Sequence, residues 1–328
     1  MQRQKYQIMK TSFYAMPRSF VFKSGGFPLG VKKITEQGEY DYHIHEDYYE
    51  LVVIGKGHAT HIIDGMKYEV GAGDVFVILG DRVHAYADVR DIEINNILFD
   101  WRKLNMPLYD LNACAGFHFL FKIDPQSNEK KRFDNRFRLN PVQLAETMEL
   151  INTLAQTLQI RNPGFQFKAI TLFHQLLLSL IMNYSHPESE SGHSTIPHRL
   201  GELVGDMEKD CSRAFSIEEM CRRTCMSRAG LFRMFQRYFQ KTPLNYLQDI
   251  RLEHAAQMLI NTDLTISEIA AMTGFADGSY FTRKFRETNK VTPRDFRKIG
   301  VKPHSNWMSD LDSRLRSSKT GISKAENL

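Results

Sequence analysis

Four side chains in the first third of the chain have the types and spacing for ligand chemistry. His43 and His45 are separated by one residue, Glu50 follows closely, and His84 lies beyond a Gly73-Asp74 turn. On a strand, residues two apart share a face, so the two imidazoles at 43 and 45 point the same way, and a closed sheet can bring Glu50 and His84 toward them. Three uses fit such a set. It can line a pocket for a hydroxylated small molecule, hold a divalent metal with His43, His45, Glu50 and His84 as ligands, or make ordinary structural hydrogen bonds. Tyr40, Tyr42, Tyr48, Tyr86 and Trp101 supply rings that either stack on a sugar or fill a core, and Tyr42 and Trp101 join the four polar residues as pocket candidates. No residue is assigned a catalytic role.

A second set lies near the other end and suits a polyanion. Aligning Thr242-Pro243 with Thr292-Pro293, an offset of 50, pairs Leu231 with Phe281, Arg233 with Arg283, Phe235 with Phe285 and Tyr246 with Phe296. On a helix, Leu231, Met234 and Phe235 turn inward while Arg228, Phe232, Arg233, Gln236 and Arg237 turn outward. In the second copy Phe281 and Phe285 are inward, and Ser279, Thr282, Arg283 and Arg286 outward. An outward arginine can donate two parallel hydrogen bonds to guanine or anchor on a phosphate. Upstream of each copy a capping box starts a short helix, Ser216 with Glu219 and Thr265 with Glu268. A tight turn follows each, TCMS and TGFAD, which completes the helix-turn-helix pattern and predicts two units that each lay one helix in a major groove of double-stranded DNA.

The elements that must position the first set are β-rich. The runs LVVIG, THII, KYEV, DVFVIL and INNILF alternate with turn signals, and Asp64-Gly65 sits where a hairpin needs positive φ, so a small sandwich or barrel is expected. Two helices follow. Asn140 caps the first with Pro141 at its first position, and Leu144, Met148, Ile151, Ala155 and Leu158 form its apolar face. The second carries Phe167, Ile170, Phe173, Leu177, Leu180 and Tyr184. These faces serve either the subunit core or a homodimer. The expected domains are residues 1–184 for effector binding and dimerisation, a polar linker at 185–198, a DNA-binding domain at 199–300 and a flexible tail at 301–328.

Charge supports that division. Residues 199–328 hold 22 Lys+Arg against 16 Asp+Glu, so the formal excess of +5 sits entirely in the helical part. The N-terminus lacks the apolar stretch of a signal peptide and no segment approaches a membrane span, so a cytoplasmic protein with no membrane partner is expected. Cys114, Cys211, Cys221 and Cys225 have neither disulfide nor zinc-finger spacing.

The stretch TISEIAAMTGFADGSYFTRKFRETNKVTPRDFRK resembles the signature of AraC-type regulators, and the likeness runs over about 100 residues, through the connecting helix LNYLQDIRLEHAAQMLINTD. It implies two readers in successive major grooves, with Arg233 and Arg283 at base-contacting positions and their neighbours on phosphate. The family often has glycine after each reading helix, where this chain has Gln240 and Lys290, so helix ends that close differently or are slightly less stable are expected. HEDYYELVVIGKG and the later His84 resemble the cupin-like sensors of the same family. Gly57 fills the expected glycine position, but Leu79 replaces the proline expected before Gly80. The resemblance implies a two-domain regulator, an N-terminal all-β cupin-like barrel before an all-α tandem helix-turn-helix domain. It implies response to a carbohydrate, activation through RNA polymerase, and no cofactor other than a divalent metal in the pocket. The competing readings are a cupin-type metalloenzyme with an accessory helical domain and a non-specific nucleoid binder.

Overall fold

A computed structural model describes residues 14–22, 26–35, 40–78, 82–104, 106–108, 110–122, 136–184 and 196–300. The chain packs as two units, residues 1–109 with 119–193 and residues 110–118 with 194–328. The first is β-rich and the second helical, in the order expected. Two details differ from the expected boundaries. Segment 110–118 belongs with the helical unit, and a helix begins at Ile196, inside the span expected as linker. The tail 301–328 and positions 185–195 lie outside the described residues.

In the first unit the strands are β1 (Tyr14–Met16), β2 (Leu29–Ile34), β3 (Tyr40–His45), β4 (Tyr49–Ile63), β5 (Met66–Gly71), β6 (Asp74–Ile78), β7 (His84–Phe99) and β8 (Phe137–Arg138), with a short helix α1 (Arg18–Val21) after β1. The runs LVVIG and THII are one strand, β4, paired with β7 from Tyr49↔Phe99 to Ile63↔His84. Both strands bend midway. The register shifts between Ile54 and Thr60 on β4, and Asp88 and Asp91 on β7 have positive φ. Bulges of this kind sharpen the local twist, and here they let one pair of strands serve two faces of a barrel. One half of the pair carries β2, β6 and β8, the other β3, β1 and β5. Gly57 sits at the bend with φ +71, and a Cβ there would lie 2.2 Å from the Asp91 carbonyl oxygen. Asp64 (φ 49) and Gly65 (φ 77) form the expected two-residue hairpin, whose paired positive φ matches a type I′ turn. Buried Asp74 steadies the 73–74 turn by accepting from Gly71 N and from Arg138 Nε and Nη2. Val52, Ile54, Ile63, Phe76, Ile78 and Ile94 fill the barrel core.

Helices α2 (Trp101–Leu104), α3 (Ala115–Phe121), α4 (Pro141–Ile160) and α5 (Phe165–Tyr184) follow. Asn140 caps α4 as expected and Gln143 completes the box. The buried face of α4 is rotated from the expected one. Thr147, Ile151, Leu154 and Thr157 are buried, while Leu144, Met148, Ala155 and Leu158 are half-buried, because α4 packs on both β2 and α5. On α5, Phe173, Leu177, Leu180 and Tyr184 are buried as expected, but Phe167 is 80% exposed. Contrary to expectation, α5 is long and apolar enough to cross a membrane, with a window of mean hydropathy 1.4. Its apolarity has a packing cause, since Phe173 lies against Phe99 and Trp101 while other residues meet α4.

The second unit contains α6 (Ile196–Lys209), α7 (Ile217–Thr224), α8 (Arg228–Phe239), α9 (Pro243–Asn261), α10 (Ile266–Met272), α11 (Gly278–Asn289) and α12 (Pro293–Ile299). Segment 110–118 packs on α6 where two glycines permit close approach. A Cβ on Gly205 would meet Ala113 O at 2.7 Å, and one on Gly201 would meet Ala115 O at 3.0 Å. Asn112 Nδ2 donates to Glu208 Oε2, which is also 3.4 Å from His254 Nε2 on α9. The internal repeat is realised in three dimensions. Leu231 and Phe281, and Phe235 and Phe285, are fully buried, and Tyr246 and Phe296 nearly so. Thr242 and Thr292 each cap a helix whose first residue is proline.

Of these expectations, a different closure of the helix ends is corrected. Gln240 (φ 57) and Lys290 (φ 64) both adopt the left-handed conformation and donate N–H to Gln236 O and Arg286 O, so the helices close as glycine would close them. The cost is residue-specific strain. Gln240→Gly and Lys290→Gly are therefore each expected to raise stability by about 0.5–1 kcal/mol, measured by denaturant unfolding of the full chain. Gly57→Ala is expected to lower stability by at least about 2 kcal/mol, because the clash is with backbone; an unchanged midpoint would refute the close approach.

Candidate functional site

The barrel gathers the four polar candidates as the spacing suggested. Alternation on β3 turns Asp41, His43 and His45 to one face, and the register His43↔His84 sets β7 beside them. The His43 and His84 ring centroids are 4.1 Å apart, and those of His45 and His84 4.8 Å. Glu50, from the first half of β4, places Oε2 3.2 Å from His45 Nε2 and 3.3 Å from His84 Nε2. Both ring nitrogens therefore stand within ion-pair reach of the same carboxylate oxygen. Backbone carbonyls hold two of the rings in place, since His43 Nδ1 is 3.0 Å from Asp41 O and His84 Nδ1 is 3.1 Å from Arg82 O. With Nδ1–H donating, each ring presents Nε2 as a lone pair when neutral.

Burial favours the neutral form of two of these rings. Burial pushes the His45 imidazole down to about 3 despite the pull of Glu50, and burial with neighbouring His84 also lowers His43. Burial works to raise the Glu50 carboxyl, but adjacent His45 and His84 bring it down to about 2. A negative charge thus sits among imidazoles in the barrel interior. Beside them is a cavity of about 200 Å³ whose lining includes Tyr14, Lys32, Asp41, His43, Glu50 and Asn96. At about 30 Å³ per water, this holds roughly seven waters or a small polar molecule.

Two pocket candidates are corrected. Tyr42 lies on the opposite face of β3 from His43 and His45, because side chains alternate. Trp101 is buried in an aromatic cluster with Phe99, Phe121 and Phe173, away from the cavity lining. Tyr86 does line it, whereas Tyr48 stacks on His45 from the side. The sequence reading missed Lys32, Asp41 and Asn96, and also His61, which is buried between the rings of Phe76 and Tyr86. Strict alternation on β3 would have found Asp41. His61 was hidden by the β4 bulge, which moves the inward face from even positions (Glu50, Val52, Ile54) to odd ones (Ala59, His61, Ile63).

In the second unit the two reading helices present comparable outer faces. Arg228, Arg233 and Gln236 on α8 are exposed, while Phe232 and Arg237 are half-buried. On α11, Ser279, Arg283 and Arg286 are exposed and Thr282 half-buried. Of the inward residues Met234 is only half-buried. Arg283 lies over the Tyr280 ring at 5.2 Å and 3.9 Å from Glu287, and Arg228 lies over Phe232 at 5.8 Å. Local capping fixes both helices, Ser227 accepting from Gly230 N and Asp277 from Ser279 N and Tyr280 N. The turn into α11, residues 273–277, is two residues longer than that into α8, residues 225–227. The Thr265–Glu268 capping box forms completely. The Ser216–Glu219 box forms only half, because the Glu219 carboxylate pairs with Arg213 instead of returning to the cap. Helix α9 joins the two units of the repeat, its Leu252, Ala255, Ala256 and Leu259 packing with Phe281 and Phe285.

Comparison with known proteins finds both halves. Residues 30–177 match the AraC-like ligand binding domain and residues 220–299 a helix-turn-helix domain. The chain is 25% identical over 293 residues to the HTH-type transcriptional activator RhaR of Escherichia coli O1:K1, covering 89% of this chain and 96% of that protein. It is 27% identical over 281 residues to RhaR of Mannheimia succiniciproducens, covering 86% and 95%. A transcriptional regulator structure from Chromobacterium violaceum, with an AraC-type DNA-binding domain, is 30% identical over 32% of this chain and 94% of that one, at a TM-score of 0.30. The chain is a member of the AraC family of DNA-binding transcription regulators, with an AraC-like ligand-binding domain ahead of its helix-turn-helix domain.

Proposed function

We propose that this regulator senses a small carbohydrate in the barrel cavity and activates transcription from the cytoplasm as a homodimer that contacts RNA polymerase. The observation that carries the DNA half is the equivalent placement of Arg233 and Arg283, each exposed on a helix anchored by a buried aromatic two residues later. These arginines read bases, while Arg228, Phe232, Gln236, Arg237, Ser279, Thr282 and Arg286 contact the backbone or flanking bases. Activation is supported by the relatives' designation as transcriptional activators. For the effector, the cavity lining includes both donors and acceptors, among them Asn96, whose buried Oδ1 lacks a hydrogen-bond partner. A polyhydroxylated molecule satisfies such a lining, whereas an apolar one leaves it unpaired. Dimerisation is supported by apolar side chains left exposed on α4 and α5, with Val142 at 67%, Ile160 at 65% and Phe167 at 80%. Signalling needs only that the effector bind the two states unequally; a tenfold change in DNA occupancy requires about 1.4 kcal/mol of difference.

Selection of sites from random duplex DNA by the full chain at physiological salt tests the reading. Two enriched base blocks about one helical turn (~34–36 Å) apart are expected, and they should vanish in the Arg233→Ala, Arg283→Ala double variant. On the selected site, Arg283→Ala should cost about 1–3 kcal/mol and relax preference at one position. Lys284→Ala should weaken every sequence alike, since it removes a phosphate partner that pairs with Glu287 in the free protein. Equal loss on all sequences from both variants would sink the base-reading assignment. For the pocket, Asn96→Leu should weaken carbohydrate binding by about tenfold or more in calorimetry with DNA affinity unchanged; undiminished binding would place the effector elsewhere.

A further inference from the structure

We infer that Arg283 is held as a base reader by a clamp of two side chains on its own helix, the Tyr280 ring under it and the Glu287 carboxylate beside it. Gln248 of α9 acts as a positioning residue for the ring. The inference rests on the reading of Arg283 as a base contact. Tyr280 precedes Arg283 by three residues and Glu287 follows it by four, so helical spacing puts all three on one face of α11. The guanidinium carbon lies 5.2 Å from the Tyr280 ring centroid, and Arg283 Nη1 lies 3.9 Å from Glu287 Oε1. The ring is itself held from two directions. Gln248 Nε2 donates to the Tyr280 hydroxyl at 3.0 Å, and buried Phe275 meets the ring at a centroid distance of 6.2 Å. Anchorage therefore runs from the connecting helix α9 through Tyr280 to the reading arginine.

An exposed arginine has two uses on DNA, and they need different geometry. Phosphate accepts it from many directions, whereas guanine accepts two parallel N–H bonds only from a guanidinium lying in the plane of the base. A ring stacked on the guanidinium restricts that plane and leaves the N–H edge free to donate. Glu287 acts on the other use. It borders the same open groove as Ser279, Thr282, Arg283 and Arg286, so a carboxylate stands on the DNA-facing surface and repels phosphate. Its Oε1 faces Arg283 and its Oε2 lies 2.9 Å from Lys284 Nζ, so one side chain screens two cations in the free protein. A sequence-blind encounter must separate these pairs without gaining the two bonds that guanine provides. The first reader lacks the device. At the offset of 50, Gly230 and Arg237 stand where Tyr280 and Glu287 stand, so Arg233 has neither a ring nor a carboxylate at those positions. The second reader is thus the more selective at its arginine and the first the more tolerant.

The test measures binding of the full chain to the selected duplex, to the three duplexes changed only at the base pair that Arg283→Ala relaxes, and to random-sequence duplex, across a salt series. Tyr280→Leu and Glu287→Gln should each cut discrimination at that pair by about threefold or more, with preference in the other half-site unchanged. Glu287→Gln should also tighten random-sequence binding and steepen its salt dependence by about one unit of log K per unit of log salt. Tyr280→Phe keeps the ring and should retain most of the discrimination that Tyr280→Leu loses. Tyr280→Phe and Gln248→Ala remove the same hydrogen bond, so their small losses should match and the double variant should be no worse than either. Full discrimination in Tyr280→Leu or in Glu287→Gln, alongside its loss in Arg283→Ala, overturns the clamp and leaves Arg283 as a reader. Equal loss in both half-sites also overturns it, because the clamp acts on one arginine. If Arg283→Ala relaxes no base pair, the base-reading assignment falls and the clamp with it.

Discussion

The sensor half depends on the antiparallel pairing of β4 with β7. Their register, from Tyr49↔Phe99 to Ile63↔His84, fixes at once where Glu50 and His84 stand and which residues enclose the core. Because both strands bend near Gly57 and Asp91, one ladder supplies hydrogen bonds to two halves of a barrel. A sheet with a one-residue slip would turn every inward side chain outward. The bulge uses that same rule constructively, changing the parity of β4 so that Glu50 and His61 both face inward.

The DNA half depends on a different constraint, the burial of two aromatic or aliphatic anchors per reading helix. Leu231 with Phe235 and Phe281 with Phe285 leave no freedom in helix rotation, so the arginines between them must face outward. Capping by Ser227 and Asp277 sets where each helix begins, and left-handed Gln240 and Lys290 set where each ends. Strain at those two ends is tolerated because Thr242-Pro243 and Thr292-Pro293 must restart a helix immediately afterward.

In the helical unit, Thr224 and Thr273 donate to carbonyls of the preceding turn, and Glu208 meets Asn112 and His254. In the barrel, His45 and Asn96 keep atoms without hydrogen bonds at one cavity. Proteins rarely leave buried polar atoms unmet, and a concentration of them marks where a ligand belongs.

The sequence by itself determined the fold class, the tandem repeat, the caps and the outward arginines, because these follow from periodicities and contacts spanning only a few residues. It also determined that His43 and His45 share a face, since strand alternation is local. Tertiary structure alone decided that Trp101 enters an aromatic core, that Tyr42 faces away, and that Asn96 and Lys32 reach the cavity. It decided the rotated face of α4, and it assigned segment 110–118 to the helical unit through the glycines of α6. The physical reason is the same in each case. Which surface a side chain meets is set by strand register, bulges and helix packing between residues far apart in the chain, and no local pattern encodes those pairings.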